Sequence, residues 1–468
     1  MTSAADLDPS FELVGEVVVD PERAVLHEDG WQSWTPTSRY RLHESPWRAA
    51  DPIWHVMQFR GPRFDPHPGF SADGVLAVDP GNGDPVRVWA AADPTVGIAT
   101  VRADPRGERL AVSADGPVTE WTAAPGADLD SALGEWAAAY AVPLLAAPPR
   151  RAPTIWCSWY HYWTKVSEAD MVENLDAMDR LDLPVEVVQL DDGYQTELGD
   201  WLSLSDRFAS LDDLAARIRD RGRRAGIWVA PFLVGTRSEL ARRHLEWLVG
   251  GTGAGDPPLH AGHNWSQDLY ALDPTHPGAA AWLTEVFATL AGSGFDLFKI
   301  DFVYAGALPG RRHQDVPGVV AYRQGVELIR SAIGESYLLG CGAPILPSIG
   351  LVDGMRISAD IAPHYEPAGG DVSQPSQRAA VLNGRARAYQ HGRWWVNDPD
   401  CLIARPQMER REEWAAHVER YGGLRGSSDR LADLDGWGLE TTRRLLEDPP
   451  PPTPFAVETV GTALEESR

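Results

Sequence analysis

Eight short apolar runs, which alternate with amphipathic helical patterns from Thr154 onwards, constrain the fold of this chain more than any other feature. The clear runs are TIWCSW, EVVQL, GIWVAP, LFKID, YLLGCG, GMRIS and RWWVN, and a weaker eighth lies near Tyr421–Arg425. Runs that are apolar throughout, rather than alternating, are typical of parallel strands buried on both faces. The eight βα units predict a closed (β/α)8 TIM barrel over residues 152–448. A doubly wound open sheet is the alternative, but it usually needs fewer units.

The first 145 residues have a different pattern. Alternating segments such as FELVGEVVVD, GVLAVD and VGIATVRA are separated by clusters of Asp, Gly and Pro. This pattern predicts an N-terminal antiparallel β-sandwich-like domain over residues 1–145.

At the other end of the chain, four consecutive prolines begin the segment 449–468. Proline cannot continue a helix, so we expect this tail to be poorly ordered.

Composition excludes several function classes. With 42 basic and 67 acidic residues the formal net charge is −25, which disfavours phosphate backbones and anionic membrane surfaces. No apolar run approaches the roughly 18 residues of a membrane span, and the N-terminus lacks the apolar core of a signal peptide. We therefore expect no nucleic-acid partner, no membrane association and a cytoplasmic location. Cys157, Cys341 and Cys401 form neither a disulfide framework nor a metal-binding spacing, so no metal or other cofactor is predicted.

The predicted strand ends carry chemically useful side chains. In a (β/α)8 barrel the active site lies at the C-terminal ends of the strands. The residues at this rim are Trp159, Tyr160, Asp191, Asp192, Trp228, Lys299, Asp301, Cys341, Arg356, Asp360, Asn397, Asp398 and Asp400. Polar residues are expected in any loop, but so many Asp and Trp residues at strand ends indicate an active site. Most of the 19 tryptophans are expected to pack in the core, although indole faces also stack on sugar rings.

Two carboxylates stand out within this series. Lys299 and Asp301 are two residues apart on one predicted strand and so share a face, where the ammonium favours an ionised carboxylate suited to a nucleophile. A buried structural ion pair is the alternative. If the strand continues, the MRISAD run places Arg356, Ser358 and Asp360 on one side, although Asp360 could equally be a helix N-cap. A separation of about 5–5.5 Å between two such carboxylates indicates a retaining glycosidase, in which the acid partner has the raised pKa.

Asp191 and Asp192 close an apolar strand and are well suited to hydrogen-bond sugar hydroxyls. Asp-Asp-Gly is also a common turn sequence, and a metal site is disfavoured because no His cluster lies nearby. Two other function classes were weighed. An aldolase in which Lys299 forms a Schiff base is disfavoured, because a lysine beside several carboxylates should stay charged. A non-catalytic sugar-binding protein is disfavoured by the intact pair of Asp301 and Asp360.

The chain resembles the melibiase-like α-galactosidases of glycoside hydrolase family 36. The matching segments are GWQSW, WCSWYHYW, QLDDGY, GIWVAPF, YALDP, FKIDFVYAGALPG, GCGAPILPSIGLVDGMRI and WWVNDPDCL, which run from Gly30 to about Arg405. This resemblance implies a retaining, exo-acting enzyme that hydrolyses terminal α-linked galactose from an oligosaccharide or other glycoside. An α-galactosyl transferase and an α-N-acetylgalactosaminidase, which would use the same two aspartates, remain alternatives.

The resemblance also implies a role for each matched residue. Asp301 matches the nucleophile, Asp360 the acid/base and Arg356 an arginine bordering it. Asp191 and Asp192 match the pair that binds O4 and O6 of galactose. Lys299 matches a lysine that contacts sugar hydroxyls, and Trp34 matches a tryptophan from the N-terminal domain. Cys341 matches a pocket cysteine. The aromatic residues of the pocket wall are matched by Trp159, Tyr160 and Trp228. The cysteine is explained equally well as a core residue.

Three departures from the family pattern bear on specificity and assembly. His263 stands where related sequences carry an arginine before the YALD run. His364 and Tyr365 stand where close relatives carry an aromatic residue and a tryptophan, so the aglycone side can differ. Family members usually continue into a C-terminal β-domain. Without one, we expect either that this domain is dispensable or that the barrel gains stability from another contact, such as a partner subunit in a homo-oligomer.

Overall fold

The computed structural model describes residues 10–48, 56, 57, 67, 69–251, 253 and 255–456. Antiparallel strands fill the N-terminal part, with the bounds Glu12–Val18 (β1), Val25–Glu28 (β2), Ser38–Arg41 (β3), Phe70–Asp73 (β4), Val75–Asp79 (β5), Arg87–Ala91 (β6), Thr100–Pro105 (β7), Arg109–Ala114 (β8) and Val118–Thr122 (β9). They form two sheets, in the orders β1-β8-β7-β4 and β3-β2-β5-β6-β9. Residues 1–9 of the predicted N-terminal domain lie outside the described residues.

One apolar cluster joins the two N-terminal sheets. Val17 and Val101 of the first sheet and Leu26, Val78 and Trp89 of the second belong to it, and all are buried. The strands of each sheet are paired through antiparallel registers such as Val17 opposite Leu110. The antiparallel character predicted from the alternating segments is confirmed.

The second half of the chain contains the parallel strands. The bounds are Ile155–Cys157 (β10), Val187–Leu190 (β11), Arg224–Val229 (β12), Leu233–Gly235 (β13), His260–Asn264 (β14), Gln267–Ala271 (β15), Phe295–Ile300 (β16), Tyr337–Gly340 (β17), Gly354–Arg356 (β18), Val396–Asp398 (β19) and Gly426–Ser427 (β20). Among the described residues, eight of these strands form one curled parallel sheet in the order β20-β10-β11-β12-β16-β17-β18-β19. β13, β14 and β15 form a separate antiparallel sheet between β12 and β16 of the chain.

Backbone hydrogen bonds link the two edges of the parallel sheet. The amides of Gly423 and Leu424 donate to the carbonyl of Asn397 at 3.0 and 2.9 Å, and the Leu402 amide donates to Gly426 at 2.7 Å. These bonds join the segments on either side of β19 and β20, so the sheet closes on itself as in a TIM-like barrel. The parallel sheet predicted from the apolar runs is confirmed.

Helices follow the N-terminal strands and alternate with the strands of the second half. Their bounds are Leu129–Ala141 (α1), Trp159–Tyr162 (α2), Glu168–Arg180 (α3), Leu211–Asp220 (α4), Glu239–Arg243 (α5), Pro277–Ser293 (α6), Gly318–Ile333 (α7), Gln377–Ala386 (α8), Arg411–Tyr421 (α9) and Gly436–Glu447 (α10). Short 3-10 turns lie at Trp163–Lys165, Leu245–Trp247, Val303–Ala307, Leu346–Ser348, Ala368–Gly370, Ala388–Gln390 and Leu431–Asp433. A capping box between Ser167 and Asp170 begins α3. Within the described ranges, every helix is too short or too polar to cross a bilayer.

The weakest predicted strand is displaced along the chain. It was expected near Tyr421–Arg425, but α9 continues to Tyr421 and the strand begins at Gly426. The guanidinium of Arg425 caps the helix C-terminus by donating to the carbonyls of Glu419 at 2.8 Å and Gly422 at 3.1 Å. Its own carbonyl accepts the amide of Ile155 on β10 at 3.0 Å, so bonding to the sheet begins just before Gly426. Of the proline-rich tail, residues 457–468 lie outside the described residues, and the ring of Phe455 stacks on His391.

A buried arginine attaches an N-terminal loop to the barrel. Arg387 is fully buried and pairs with Asp29 at 3.1 Å, and it donates to the carbonyls of Ser33 at 2.7 Å and Ile357 at 3.0 Å. Although burial opposes ionisation, Arg387 lowers the pKa of Asp29 below its usual range. The loop also bonds to the chain after β17, where the Ser33 amide donates to Ala343 at 3.1 Å. The GWQSW segment is therefore held against the C-terminal ends of the strands.

Replacing Arg387 by methionine should destabilise the protein strongly, because the ionised Asp29 would stay buried without its cation. Breaking such a pair costs about 3–5 kcal/mol, which thermal or urea unfolding would report as a large fall in the midpoint. The control is Arg430→Met, because the ion pair of Arg430 with Glu173 is exposed at 37% and 41% and should contribute less than about 1 kcal/mol. Equal losses in the two variants would contradict the assigned importance of Arg387.

Candidate active site

The strand ends bring together the carboxylates that the sequence places there. Five are buried, with at most 6% of the residue exposed, and they are Asp191, Asp192, Asp301, Asp398 and Asp400. The side chain of the sixth, Asp360, is 33% exposed. Unpaired carboxylates are costly to bury, so a cluster of this kind needs cations in its interior.

Lys299 supplies the first of these cations. It lies on β16, and its ammonium is 3.0 Å from Oδ2 of Asp191 and 3.9 Å from Oδ2 of Asp301. Burial disfavours the charged ammonium, but the two carboxylates outweigh it and raise the pKa of Lys299 well above its ordinary value. Lys299 is therefore a permanent positive charge between two carboxylates, which argues against a neutral amine nucleophile at this position.

Two further groups donate hydrogen bonds to the carboxylate of Asp301. The indole N–H of Trp228 on β12 donates to Oδ2 at 3.0 Å, and the backbone amide of Phe302 donates to Oδ1 at 2.8 Å. Phe302 adopts a left-handed conformation with φ 53°, and the amide of Asp301 bonds to Val229 at 2.9 Å. The strand end thus fixes this carboxylate with donors that suit a negative charge.

Asp191 and Asp192 are held by different partners. Asp191 Oδ2 accepts from Gln189 at 2.8 Å as well as from Lys299, whereas Asp192 accepts from Gln195 at 2.6 Å and from the indole of Trp265 at 2.8 Å. Burial is the main cause that raises the pKa of Asp192 to about 6. The negative charges of Asp191 and Asp301 add to it, while the two donors oppose it. Asp191 is therefore paired with a cation, whereas Asp192 accepts hydrogen bonds from two neutral side chains.

Trp265 is a site residue to which the sequence analysis assigned no role. It lies with Ser266 at the tip of the β14–β15 hairpin, and both residues have positive φ, 49° and 55°. This two-residue turn directs the indole towards Asp192, and the ring also packs on Phe302 at 5.1 Å. In the sequence, Trp265 could have been found only as a tryptophan at the tip of a hairpin.

Arg356 is the second interior cation and contacts three carboxylates. Nη1 is 3.0 Å from Asp360, Nε is 3.2 Å from Asp398 and Nη2 is 2.8 Å from Asp400. Burial opposes its charge, but Asp400 and Asp398 raise the pKa of Arg356 well above its ordinary value. Asp398 and Asp400 lie on the predicted rim without an assigned role, and the structure places them around this guanidinium.

Asp360 differs from Asp301 in its surroundings. Loss of solvent is the main cause that raises the pKa of Asp360, and the negative charges of Asp301 and Asp191 act in the same direction. Arg356 and Lys299 oppose this effect without reversing it. The site therefore combines a carboxylate directly after β16 that accepts several hydrogen bonds with a carboxylate after β18 whose pKa is raised.

The aromatic residues predicted for the pocket wall have several roles. Trp159 is partly exposed and packs edge-to-face on Trp163 at 4.9 Å. Tyr160 and Trp228 are buried, and their polar atoms donate to Asp400 and Asp301. Both side chains therefore hold carboxylates of the site through their polar atoms.

Trp34 comes from the N-terminal loop and reaches the same strand ends. Its ring packs on Phe302 at 4.7 Å, and a side chain at Gly342 would come within 2.8 Å of it. Cys341 is fully buried beside these residues, and burial, followed by the charge of Asp301, raises the pKa of its thiol well above the ordinary value. The structure thus brings Trp34 and Cys341 to the site, the latter as a protonated thiol.

The positions that depart from the family pattern lie further out. His263 is half exposed and pairs with Asp268 across the hairpin at 2.7 Å. His364 is exposed, and Tyr365 packs beneath the guanidinium of Arg410 at 3.6 Å. In the part of the chain that the structure describes, no three His, Cys, Asp or Glu side chains are grouped so that they could hold a metal ion.

Replacing Asp192 by asparagine should raise the thermal stability more at pH 8 than at pH 4. The pKa of Asp192 is raised from 3.8 to about 6, so its contribution to the free energy of unfolding is most favourable below about pH 4 and falls as the pH rises from about 4 through 6. The amide stays neutral and avoids this loss, which amounts to about 3 kcal/mol across that range. Melting temperatures of both proteins from pH 4 to pH 8 measure the difference, and a constant difference would contradict the assignment.

Comparison with known proteins gives matches of three kinds. The family model Melibiase matches residues 149–304. TtGalA, an α-galactosidase of Thermus thermophilus solved in complex with stachyose, is 30% identical with a TM-score of 0.79, and the match covers 94% of this chain and 95% of that one. Among curated proteins, the α-galactosidase AgaA of Geobacillus stearothermophilus is 33% identical over 108 residues, which are 21% of this chain. An α-xylosidase of Emericella nidulans is 25% identical over 224 residues, or 44% of this chain. The chain spans only 14% and 28% of the length of these two curated relatives.

Proposed function

Because the chain belongs to the melibiase family of glycoside hydrolases, we propose that it is a retaining, exo-acting α-galactosidase with Asp301 as nucleophile and Asp360 as acid/base. One observation carries the proposal, namely the contrast between these two carboxylates. Asp301 is surrounded by donors from Trp228, Phe302 and Lys299, whereas Asp360 is more accessible and has a raised pKa. A retaining glycosidase needs this pairing of an ionised nucleophile with a protonated acid.

The reaction is a double displacement. Asp301 attacks the anomeric carbon while Asp360 transfers its proton to the departing glycosidic oxygen, and a covalent glycosyl-enzyme forms. Asp360, now ionised, removes a proton from water, and the hydroxide oxygen displaces Asp301 to release the sugar with retained configuration. Lys299 stays charged throughout and balances the negative charge that returns to Asp301 in the second step.

We propose that the galactose is held by the β11 end of the site. Asp191 and Asp192 bind O4 and O6, Lys299 contacts a further hydroxyl, and Trp34 and Trp159 contribute apolar surface for the ring. The solved complexes of TtGalA with stachyose and p-nitrophenyl α-D-galactopyranoside support an α-galactoside as the substrate class. Arg356 takes part through Asp360, which it contacts directly.

We further propose that the finer organisation follows the sequence-based boundaries. The two N-terminal sheets would form a sandwich domain over residues 1–145, followed by a catalytic barrel over 152–448 and a tail over 449–468. The apolar cluster shared by the two sheets and the hydrogen bonds between the barrel edges support these assignments. The role of the N-terminal domain would be to carry the loop that presents Trp34.

An α-xylosidase is the second candidate, because a curated α-xylosidase matches 44% of the chain. Xylose lacks the hydroxymethyl group of galactose, and so it would leave the buried Asp192 without its proposed O6 partner. A site that hydrogen-bonds a hydroxyl discriminates strongly against the analogue that lacks it. The presence of Asp192 and Trp265 therefore favours galactose.

The ratio of kcat/KM for p-nitrophenyl α-galactopyranoside and p-nitrophenyl α-xylopyranoside should be at least about 100. In Asp192→Asn this ratio should fall, because the variant loses binding to the galactoside and gains none to the xyloside. The corresponding N-acetylgalactosaminide serves as a third substrate and tests the N-acetylgalactosaminidase alternative. Product analysis at high acceptor concentration measures how much of the sugar is transferred to the acceptor and how much is hydrolysed. A preference for the xyloside in the parent enzyme would overturn the galactosidase assignment.

Replacing Asp301 by glycine should reduce hydrolysis of an aryl α-galactoside by at least about 1,000-fold, because the covalent intermediate can no longer form. Azide should restore turnover by entering the vacated space, with a β-galactosyl azide as product. In the parent enzyme, NMR should show α-galactose as the first anomer released. Asp296→Asn changes an exposed aspartate at the opposite end of the same strand and should retain activity. Unchanged turnover in the Asp301 variant, or release of β-galactose, would overturn the mechanism.

A further inference from the structure

Asp400 is a buried carboxylate at the strand ends whose backbone is strained. It is buried, with 1% of the residue exposed, and it adopts a φ of 90°, a conformation that residues other than glycine rarely take. Strained backbone of this kind persists only where surrounding contacts hold it, and it is concentrated at functional sites. The reaction outlined for Asp301 and Asp360 uses no atom of Asp400, so its strain and burial require another explanation.

The contacts of Asp400 converge on the neighbours of Asp360. Oδ1 is 2.8 Å from Nη2 of Arg356, whose Nη1 contacts Asp360. Oδ2 accepts the backbone amide of Ile361, the residue directly after Asp360, at 2.9 Å, and it also accepts the hydroxyl of Tyr160. Asp400 therefore restrains Asp360 in two ways. It binds Arg356, which contacts the Asp360 carboxylate, and it accepts the backbone amide that directly follows Asp360.

We infer that Asp400 is a positioning residue for the acid/base, a role that rests on the proposed function of Asp360. The bond to Ile361 sets the position of the Asp360 backbone relative to the barrel. The bond to Arg356 partly neutralises the guanidinium, which would otherwise stabilise the ionised form of Asp360 more strongly. Asp400 thus keeps Asp360 both in place and protonated before the first step.

The electrostatics agree with this geometry. Burial, opposed by Arg356 but aided by the charges of Asp360 and Asp398, raises the pKa of Asp400 to about 6. The charged or titratable groups that act on Asp360 or respond to it are Arg356 on β18, Lys299 and Asp301 at the end of β16, Asp191 after β11, Cys341 after β17, Tyr160 after β10 and Asp400 after β19. Removal of the Asp400 charge leaves Arg356 less neutralised, so the pKa of Asp360 should fall.

The leaving group provides a selective test. In Asp400→Asn, kcat/KM for methyl α-galactoside, which needs a proton on departure, should fall by about 10–100-fold. For 2,4-dinitrophenyl α-galactoside, which departs without a proton, the fall should be less than about 3-fold. Equal losses on both substrates would mean that Asp400 is merely structural, and they would overturn the inference. Circular dichroism and melting curves check that the variant is folded.

The pH profile supplies a second readout. With methyl α-galactoside, the alkaline limb of kcat/KM should move to lower pH by about one unit in Asp400→Asn. Asp398→Asn is the matched comparison, because it removes another charge from Arg356 but has no contact with Ile361. It should move the same limb and lose less activity at the pH optimum. An unmoved limb in Asp400→Asn would also overturn the inference.

Two further variants keep the outcome interpretable. If Asp400→Asn does not fold, Tyr160→Phe removes the hydroxyl donor from Asp400 without changing a charge, and it should show the same leaving-group dependence at smaller size. Asp360→Ala, measured in parallel, should lose activity mainly on the methyl glycoside. If it loses activity equally on both substrates, the acid/base assignment of the proposed function fails. If it behaves as expected while the Asp400 and Tyr160 variants do not, only the positioning role fails.

Discussion

The two buried cations, Lys299 and Arg356, are the constraint on which the rest of the site depends. Four of the strand ends contribute carboxylates, and without interior positive charge these groups could not be buried together. Lys299 lies between Asp191 and Asp301, whereas Arg356 contacts Asp360, Asp398 and Asp400. The two cations therefore serve different strand ends, Lys299 those of β11 and β16, and Arg356 those of β18 and β19. Burial nevertheless raises the pKa of Asp360, although Arg356 opposes this effect.

A third buried cation connects the two parts of the chain. Arg387 binds Asp29 and the carbonyls of the N-terminal loop, and that loop carries Trp34 to the side of Phe302. The same guanidinium bonds to Ile357, one residue after β18. The position of the N-terminal loop and that of the strand leading to Asp360 are therefore set by one side chain, which explains how a β-rich segment can contribute to a barrel site.

Much of this arrangement could be predicted from the sequence, because it follows from local rules. Continuous apolar runs mark the parallel strands, and the spacing of Lys299 and Asp301 places them on one face. The rest depends on tertiary contacts between distant residues. The sequence points to Trp228 and Tyr160 as aromatic residues, but it does not reveal that their polar atoms bond to carboxylates 73 and 240 residues away. The eighth strand begins later than expected because the preceding helix continues to Tyr421, which the weak apolar pattern there does not reveal.

The hairpin that carries Trp265 has a consequence for divergence within the family. It belongs to an antiparallel sheet inserted between β12 and β16, and the parallel sheet does not depend on its hydrogen bonds. Yet its tip supplies one of the donors to Asp192, the aspartate proposed to read the sugar. Insertions and substitutions in this hairpin can therefore change which sugar is accepted while the reacting pair stays untouched. Grafting hairpins between relatives would be a direct route to new substrate preferences on an unaltered catalytic frame.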